Sequence, residues 1–329
     1  MNSFEASETT NDLIPKFIET LNLEDTPKQS IRHYWLKIIS DGYGEPIKVP
    51  VMVARGKSDF PIVGLTAAIH GNELNGIPVI QRLFRELDVH ELNGVVIGVP
   101  VLNQIAFARK QRRFNDGVDL NHIMPGNPAG NVSQVYAHRI FDRIVKQFDY
   151  LIDLHTASTG RVNTYYVRAD MKHPTTRKMA ILQNAQIIVH NPPSDGTLRG
   201  AAGELDIPAI TLEVGNPSTF QRGLIKSGLA GIHNVLSWLE MTSDPIDAYE
   251  SQTIMCRRSY WLYTDAGGLL TLHVNLADRL EKDQKIATLH DIFGNVKREY
   301  LAPEAGIVIG KSISPVNQSG GRILHLGIE

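Results

Sequence analysis

The chain has 329 residues, 42% apolar and 21% charged, an ordinary globular composition that excludes a disordered or fibrous protein and, at about 150 residues per domain, leads one to expect two domains. Lys and Arg number 33 against 35 Asp and Glu, so the net charge of −2 provides no global basic field for nucleic acid. A single cysteine, Cys256, excludes an intramolecular disulfide, a Cys-based zinc finger and an iron–sulfur site.

The start, MNSFEASETT, is polar and acidic, unlike a secretory signal. No apolar stretch reaches the roughly 18 residues that span a bilayer, so a cytoplasmic protein with no membrane partner is expected. The run LIPKFIETLNL is short and amphipathic, and reads either as a helix docked on the main domain or as a loosely held arm. HYWLKII and IKVPVMVA alternate as antiparallel strands do. PIVGLTAAI (61–69) is continuously apolar, the mark of a strand buried on both faces. A helix is predicted over 77–87, and a second buried strand over 95–102. Helical runs at 135–148 and 173–183 alternate with strands at 150–156, 185–190 and 208–215, and a closing helix covers 224–241. This alternation predicts an α/β domain with a mixed, mostly parallel sheet flanked by helices. The polar stretch SDPIDAYESQ reads as a linker, dividing the chain into 1–245, with its N-terminal arm, and a small all-β domain at 253–329.

Potential metal ligands stand at the C-terminal ends of the apolar strands, where open α/β sheets bind ligands. His70 ends the first buried strand, Glu73 follows within the same turn, His155 ends another strand and Glu213 a fourth. Two imidazoles and a carboxylate form a catalytic zinc set that leaves the fourth position for water. Zinc lowers the pKa of bound water to about 7. Gly71 lets His70 and Glu73 point inward from one short segment, and Asp153, on the same strand face as His155, is placed to orient that imidazole. A capping or packed histidine is the plainer alternative for either imidazole.

Taken together, AAIHGNELNG, RFNDGVDLNHIMPGN, LIDLHTAS and PAITLEVG, in that order, resemble the succinylglutamate desuccinylase/aspartoacylase family, zinc amidohydrolases related to metallocarboxypeptidases. The resemblance spans about residues 60–240. It implies a carboxypeptidase-like fold, one zinc ion on His70, Glu73 and His155, Glu213 as general base and acid, and Asn121 on the substrate. It also implies an oxyanion-stabilising arginine in the 109–113 run. Arg113 is the choice, because it stands just before FNDGVDLN, with Arg109 and Arg112 as alternatives.

The family segment usually reads D-L-N-R, whereas this chain has His122 after Asn121. An imidazole lacks the planar fork that grips a carboxylate. Either the substrate lacks that carboxylate or another cation holds it, with Arg161 and Arg199 as candidates. Tyr165 and Tyr166 are either phenols near the metal or core residues. The last domain is similar to a biotinyl/lipoyl barrel-sandwich module, yet Lys297 lacks the methionine-flanked hairpin of a carrier lysine, so a structural role is expected. The expected activity is hydrolysis of an N-acylated small amine or amino acid, with a zinc carboxypeptidase or a metal-free binding protein as alternatives and a homo-oligomer left open.

Overall fold

The computed structural model describes residues 14–193, 195–248 and 253–329. The linker residues 249–252 and the first 13 residues of the expected arm lie outside them. In chain order the first part contains β1 (Lys16–Ile18), β2 (Ser30–Ser40), β3 (Pro46–Arg55), β4 (Ile62–Ala67), α1 (Gly76–Glu86), β5 (Val95–Val99), α2 (Gln104–Ala108) and α3 (Val132–Arg143). It continues with β6 (Tyr150–His155), β7 (Arg161–Asn163), β8 (Tyr165–Ala169), α4 (Pro174–Ile181), β9 (Ile187–His190), α5 (Leu198–Gly203), β10 (Ala209–Val214) and α6 (Arg222–Trp238). After the linker come β11 (Ile254–Cys256), β12 (Arg258–Tyr263), β13 (Gly268–Leu272), β14 (Arg279–Leu280), β15 (Lys285–His290), β16 (Val296–Leu301), β17 (Gly306–Ser312), β18 (Val316–Asn317) and β19 (Arg322–Ile328).

A ten-stranded sheet runs β1-β2-β3-β5-β4-β6-β10-β8-β9-β11. Pairing is parallel except between β2 and β3, β3 and β5, and β10 and β8. Every residue of β4 and β5 is buried, which explains their unbroken apolar sequence: helices cover both faces. On one face α1, α4 and α6 pack over β4, β6 and β10. On the other, α3 packs against β2, and α5 against β6 and β10. α1 buries Ile77, Val79, Ile80, Leu83 and Phe84, the stripe its 3.6-residue period dictates. α3 begins with a reciprocal capping box between Asn131 and Gln134.

The expected N-terminal helix or arm is instead a three-residue strand, β1, laid parallel on β2. Edge pairing satisfies backbone groups that so short an amphipathic run could not satisfy alone. The C-terminal part forms two antiparallel sheets, β12-β19-β17-β14 and β16-β15-β13-β18, around their own apolar cluster. The two parts exchange a strand. β11 extends the large sheet beside β9, while β7 leaves it and pairs with β17. Lys297 lies on β16 with its ammonium on the Gly267 carbonyl.

Candidate metal and hydrolytic site

β4 ends at Ala67; the next residue, Ala68, takes φ 51°, and the chain turns to present His70 and Glu73. Gly71 is required by close approach: a Cβ there would stand 2.0 Å from the Ala106 carbonyl carbon. Asn75 ties this turn to the end of β10, donating to the Val214 carbonyl and to Gln221 Oε1. His155 ends β6 beside it.

One donor atom from each of His70, Glu73 and His155 lies within 4.8 Å of the others, and all three side chains are buried. His70 Nδ1 is 3.0 Å from Glu73 Oε1, and His155 Nδ1 is 3.0 Å from Glu73 Oε2. Each histidine spends its other nitrogen on an aspartate: His70 Nε2 donates to Asp119 at 2.9 Å and His155 Nε2 to Asp153 at 2.7 Å. Asp153 in turn accepts from Thr66 at 2.6 Å. Both imidazoles are thereby locked with Nδ1 facing inward, the outer support of metal-ligating histidines. Burial disfavours the ionised Glu73, yet His70 and His155 hold it well below the usual carboxylate range. Burial works against a charged His155, but the charge and hydrogen bond of Asp153, with Glu73 adding, raise it well above the ordinary histidine value. The N2O donor set fits a borderline divalent ion such as zinc. Among the described residues no fourth His, Cys, Asp or Glu joins the group.

Strand register places Glu213 between two functional groups. It aligns with His155 across the β10–β6 pair and with Tyr166 across the β10–β8 pair. Tyr166 donates its hydroxyl to Glu213 Oε1 at 3.3 Å, Asn163 donates to Oε2 at 3.3 Å, and Arg168 Nε stands 4.0 Å away. Burial, then the Glu73 charge, pushes the Glu213 carboxyl above the usual range, with His155 and Arg168 pulling the other way. Asn163 approaches closely because Gly310 opposes it; a Cβ there would meet Asn163 Oδ1 at 2.3 Å.

Arg113 is a correction. Its guanidinium is exposed and donates to the Gly117 carbonyl, closing the turn in which Phe114 and Val118 pair. Arg112 turns inward instead, donating to Glu73 Oε1 and to Asp119 Oδ2, both at 2.9 Å. Asp119 draws it there, and burial notwithstanding, His70 and Arg112 keep that carboxyl ionised. Arg109 is exposed at the end of α2.

A cleft of about 410 Å³ opens over these groups. Asn121, His122, Arg161 and Arg199 all line it. Asn121 accepts from the Leu198 N–H. His122 is 65% exposed, 3.8 Å from Asp119. Arg199 is consumed by Asp195 at 2.6 Å and by the Asn191 and Pro192 carbonyls. Tyr166 faces the cleft, whereas Tyr165 is buried in the core and donates to the Gln183 carbonyl.

Four participants escaped the sequence reading: Asp119, Asn163, Arg168 and Trp261. Arg168 shares a strand face with Tyr166 and could have been found by that period. Trp261 comes from β12 and carries no local signal.

The succinylglutamate desuccinylase/aspartoacylase catalytic domain model matches residues 59–239. The N-alpha-acetyl-L-2,4-diaminobutyric acid deacetylase of Halomonas elongata is 24% identical over 303 residues, 87% of this chain and 88% of that protein. The succinylglutamate desuccinylase of Pseudomonas paraeruginosa is 29% identical over 170 residues, 47% of this chain and 51% of that one. The product-bound ectoine utilization protein EutE (DoeB) from Ruegeria pomeroyi superposes with a TM-score of 0.83 at 21% identity, covering 92% of this chain and 97% of that one. A matched region that contains His70, Glu73, His155 and Glu213 makes up more than half of the sequence, and the chain belongs to the succinylglutamate desuccinylase/aspartoacylase family, whose matched relatives here are a deacetylase and a desuccinylase.

Proposed function

We propose that the protein is a zinc-dependent amidohydrolase that cleaves the amide bond of an N-acylated amino acid or small amine, with Glu213 as general base and acid. The observation that carries this reading is the convergence of His70, Glu73 and His155 beside the partly buried Glu213 carboxylate, whose nearest cation among the described residues, Arg168, stands 4.0 Å away.

His70, Glu73 and His155 would hold the zinc ion, which when bound supplies an acidified water and a Lewis acid for the substrate carbonyl. Glu213 takes a proton from the attacking water at its carboxylate and delivers it to the departing nitrogen. Its raised pKa brings it nearer the working range for both transfers. Arg112 donates to the developing oxyanion, a role that needs a preorganised cation at the reacting centre. Tyr166 and Asn163 hold the Glu213 carboxylate in place. Asn121, with its Oδ1 fixed by Leu198, presents its amide to the substrate, while His122, Arg161 and Arg199 line the remainder of the cleft. The first substrate to try is N-alpha-acetyl-L-2,4-diaminobutyrate, on which the Halomonas elongata relative acts by its name. A carboxypeptidase reading is weaker, because His122 stands where the terminal carboxylate would need an arginine fork.

The test is release of free amine from N-acetyl, N-succinyl and N-acyl diamine substrates by zinc-loaded protein. Glu213→Gln is expected to retain the metal and lose about 10²–10⁴ in turnover. Full activity in that variant overturns the assigned base. No amine released from any substrate overturns the reading itself.

A further inference from the structure

The cleft's cations differ in one respect. Arg112 meets Glu73 and Asp119, Arg168 lies beside Glu213 and binds the Tyr166 hydroxyl, and Arg199 is held by Asp195. Arg161 has no carboxylate within ion-pair distance among the described residues, and neither has Arg322 at the start of β19. Yet these two guanidinium groups stand over the same indole: Arg161 at 5.6 Å and Arg322 at 5.3 Å from the Trp261 ring centroid. Arg322 also covers Tyr263 at 5.9 Å. His325 stacks on the same ring at 5.2 Å with an interplanar angle of 9°. Stacking on aromatic faces fixes where the two charges sit and leaves their N–H groups free to donate.

Both arginines line a second concavity of about 230 Å³, together with Thr159, Ser312, Ser314 and Asn317. It lies at the seam where β7 pairs with β17, and Arg161 is opposite Ser312 in that register. Arg161 also lines the catalytic cleft, so the two cavities share one wall. Burial, then the Arg322 charge, lowers the Arg161 pKa, with Glu73 and Glu213 pulling the other way. Two like charges held together at a concave surface, with hydroxyl and amide groups around them and no carboxylate at ion-pair distance among the described residues, form a recognition site for an anion.

We infer that Arg161 and Arg322 form an oxyanion-binding site at the seam between the two parts of the chain, distinct from the His70–Glu73–His155 cluster, that takes a carboxylate or phosphate group. Two sources have this chemistry: a distal carboxylate carried by the substrate itself, or a free anion that binds beside the cleft. The substrate source rests on the amidohydrolase reading; binding of a free anion does not.

Calorimetric titration of the zinc-loaded full chain with succinate and with inorganic phosphate tests the site. Arg322→Ala is expected to weaken binding of at least one of them by about tenfold or more, the loss for a charge-assisted hydrogen bond, and the difference should shrink as salt is raised. Equal affinities in wild type and Arg322→Ala overturn the inference. Kinetics then separate the sources. If the substrate supplies the anion, Arg322→Ala raises KM for an N-succinyl substrate about tenfold relative to its N-acetyl counterpart. If a free anion does, that ratio is constant and phosphate alters N-acetyl hydrolysis in the wild type but not in the variant. Absence of any hydrolysis defeats the amidohydrolase reading and leaves the calorimetry to decide the site.

Discussion

His70 and His155 reach the same geometry by the same device, an aspartate on Nε2 that leaves Nδ1 facing Glu73. The device makes Asp153 worth testing apart from the ligands it supports. Asp153→Asn is expected to weaken zinc binding about 10–100-fold, read by chelator competition. Run across pH, the same titration in the wild type should show affinity falling as pH falls. Protons compete with the ion for both imidazoles, and His155, whose pKa is raised by Asp153, must release its proton before it can ligate. The basic run gives a second contrast at this scale. Arg112→Ala is expected to cost about 10²–10³ in kcat, and Arg113→Ala to leave kcat near wild type, because only Arg112 touches Glu73 and Asp119. Nothing in the string RKQRR distinguishes the two. Which arginine turns inward is set by Asp119, seven residues on in sequence, whose carboxylate captures the Arg112 Nε. The His70–Glu73–His155 cluster was legible because its members follow apolar strands that advertise their own ends. Arg112, Asn163 and Trp261 were not, because their positions come from pairings across the fold.

The elements show the same division. β4, β5, β6 and β10 could be read from continuous apolar sequence because both faces are buried. α1 could be read because its apolar residues repeat at helical spacing. The short pieces could not: β1 and β7 have three residues each and no period, and α2 has five. LIPKFIETLNL is compatible with a docked helix or a loose arm, and only the neighbouring β2 edge decides for strand β1. Stability should be concentrated in the legible elements. Leu83, fully buried on the inner face of α1, is expected to cost about 2–5 kcal/mol on substitution by alanine, measured as a drop in urea midpoint with unchanged slope.

For the whole molecule, the chain divides by sequence near residue 250 but not by hydrogen bonding. β11 completes the edge of the large sheet and β7 belongs to the other one. Truncation after residue 245 would strip β9 of one of its two parallel partners and leave β7 and the outer wall of Glu213's neighbourhood unpaired. The truncated chain is therefore expected to aggregate or lose cooperative unfolding, judged by size-exclusion chromatography and thermal denaturation; a monomer with an undiminished transition would show that the exchange is dispensable. Among the described residues no helix is long and apolar enough to cross a membrane.

The swap of β7 for β11 has a temporal consequence. A ribosome delivers His70, Glu73, His155 and Glu213 early, but Gly306–Ser312, against which Arg161–Asn163 must zip, is among the last segments to emerge. A nascent chain can thus carry the whole His70–Glu73–His155 cluster and Glu213 and still lack the clasp that seats Asn163 against Glu213; under the proposed function, competence for turnover is acquired only as synthesis nears completion.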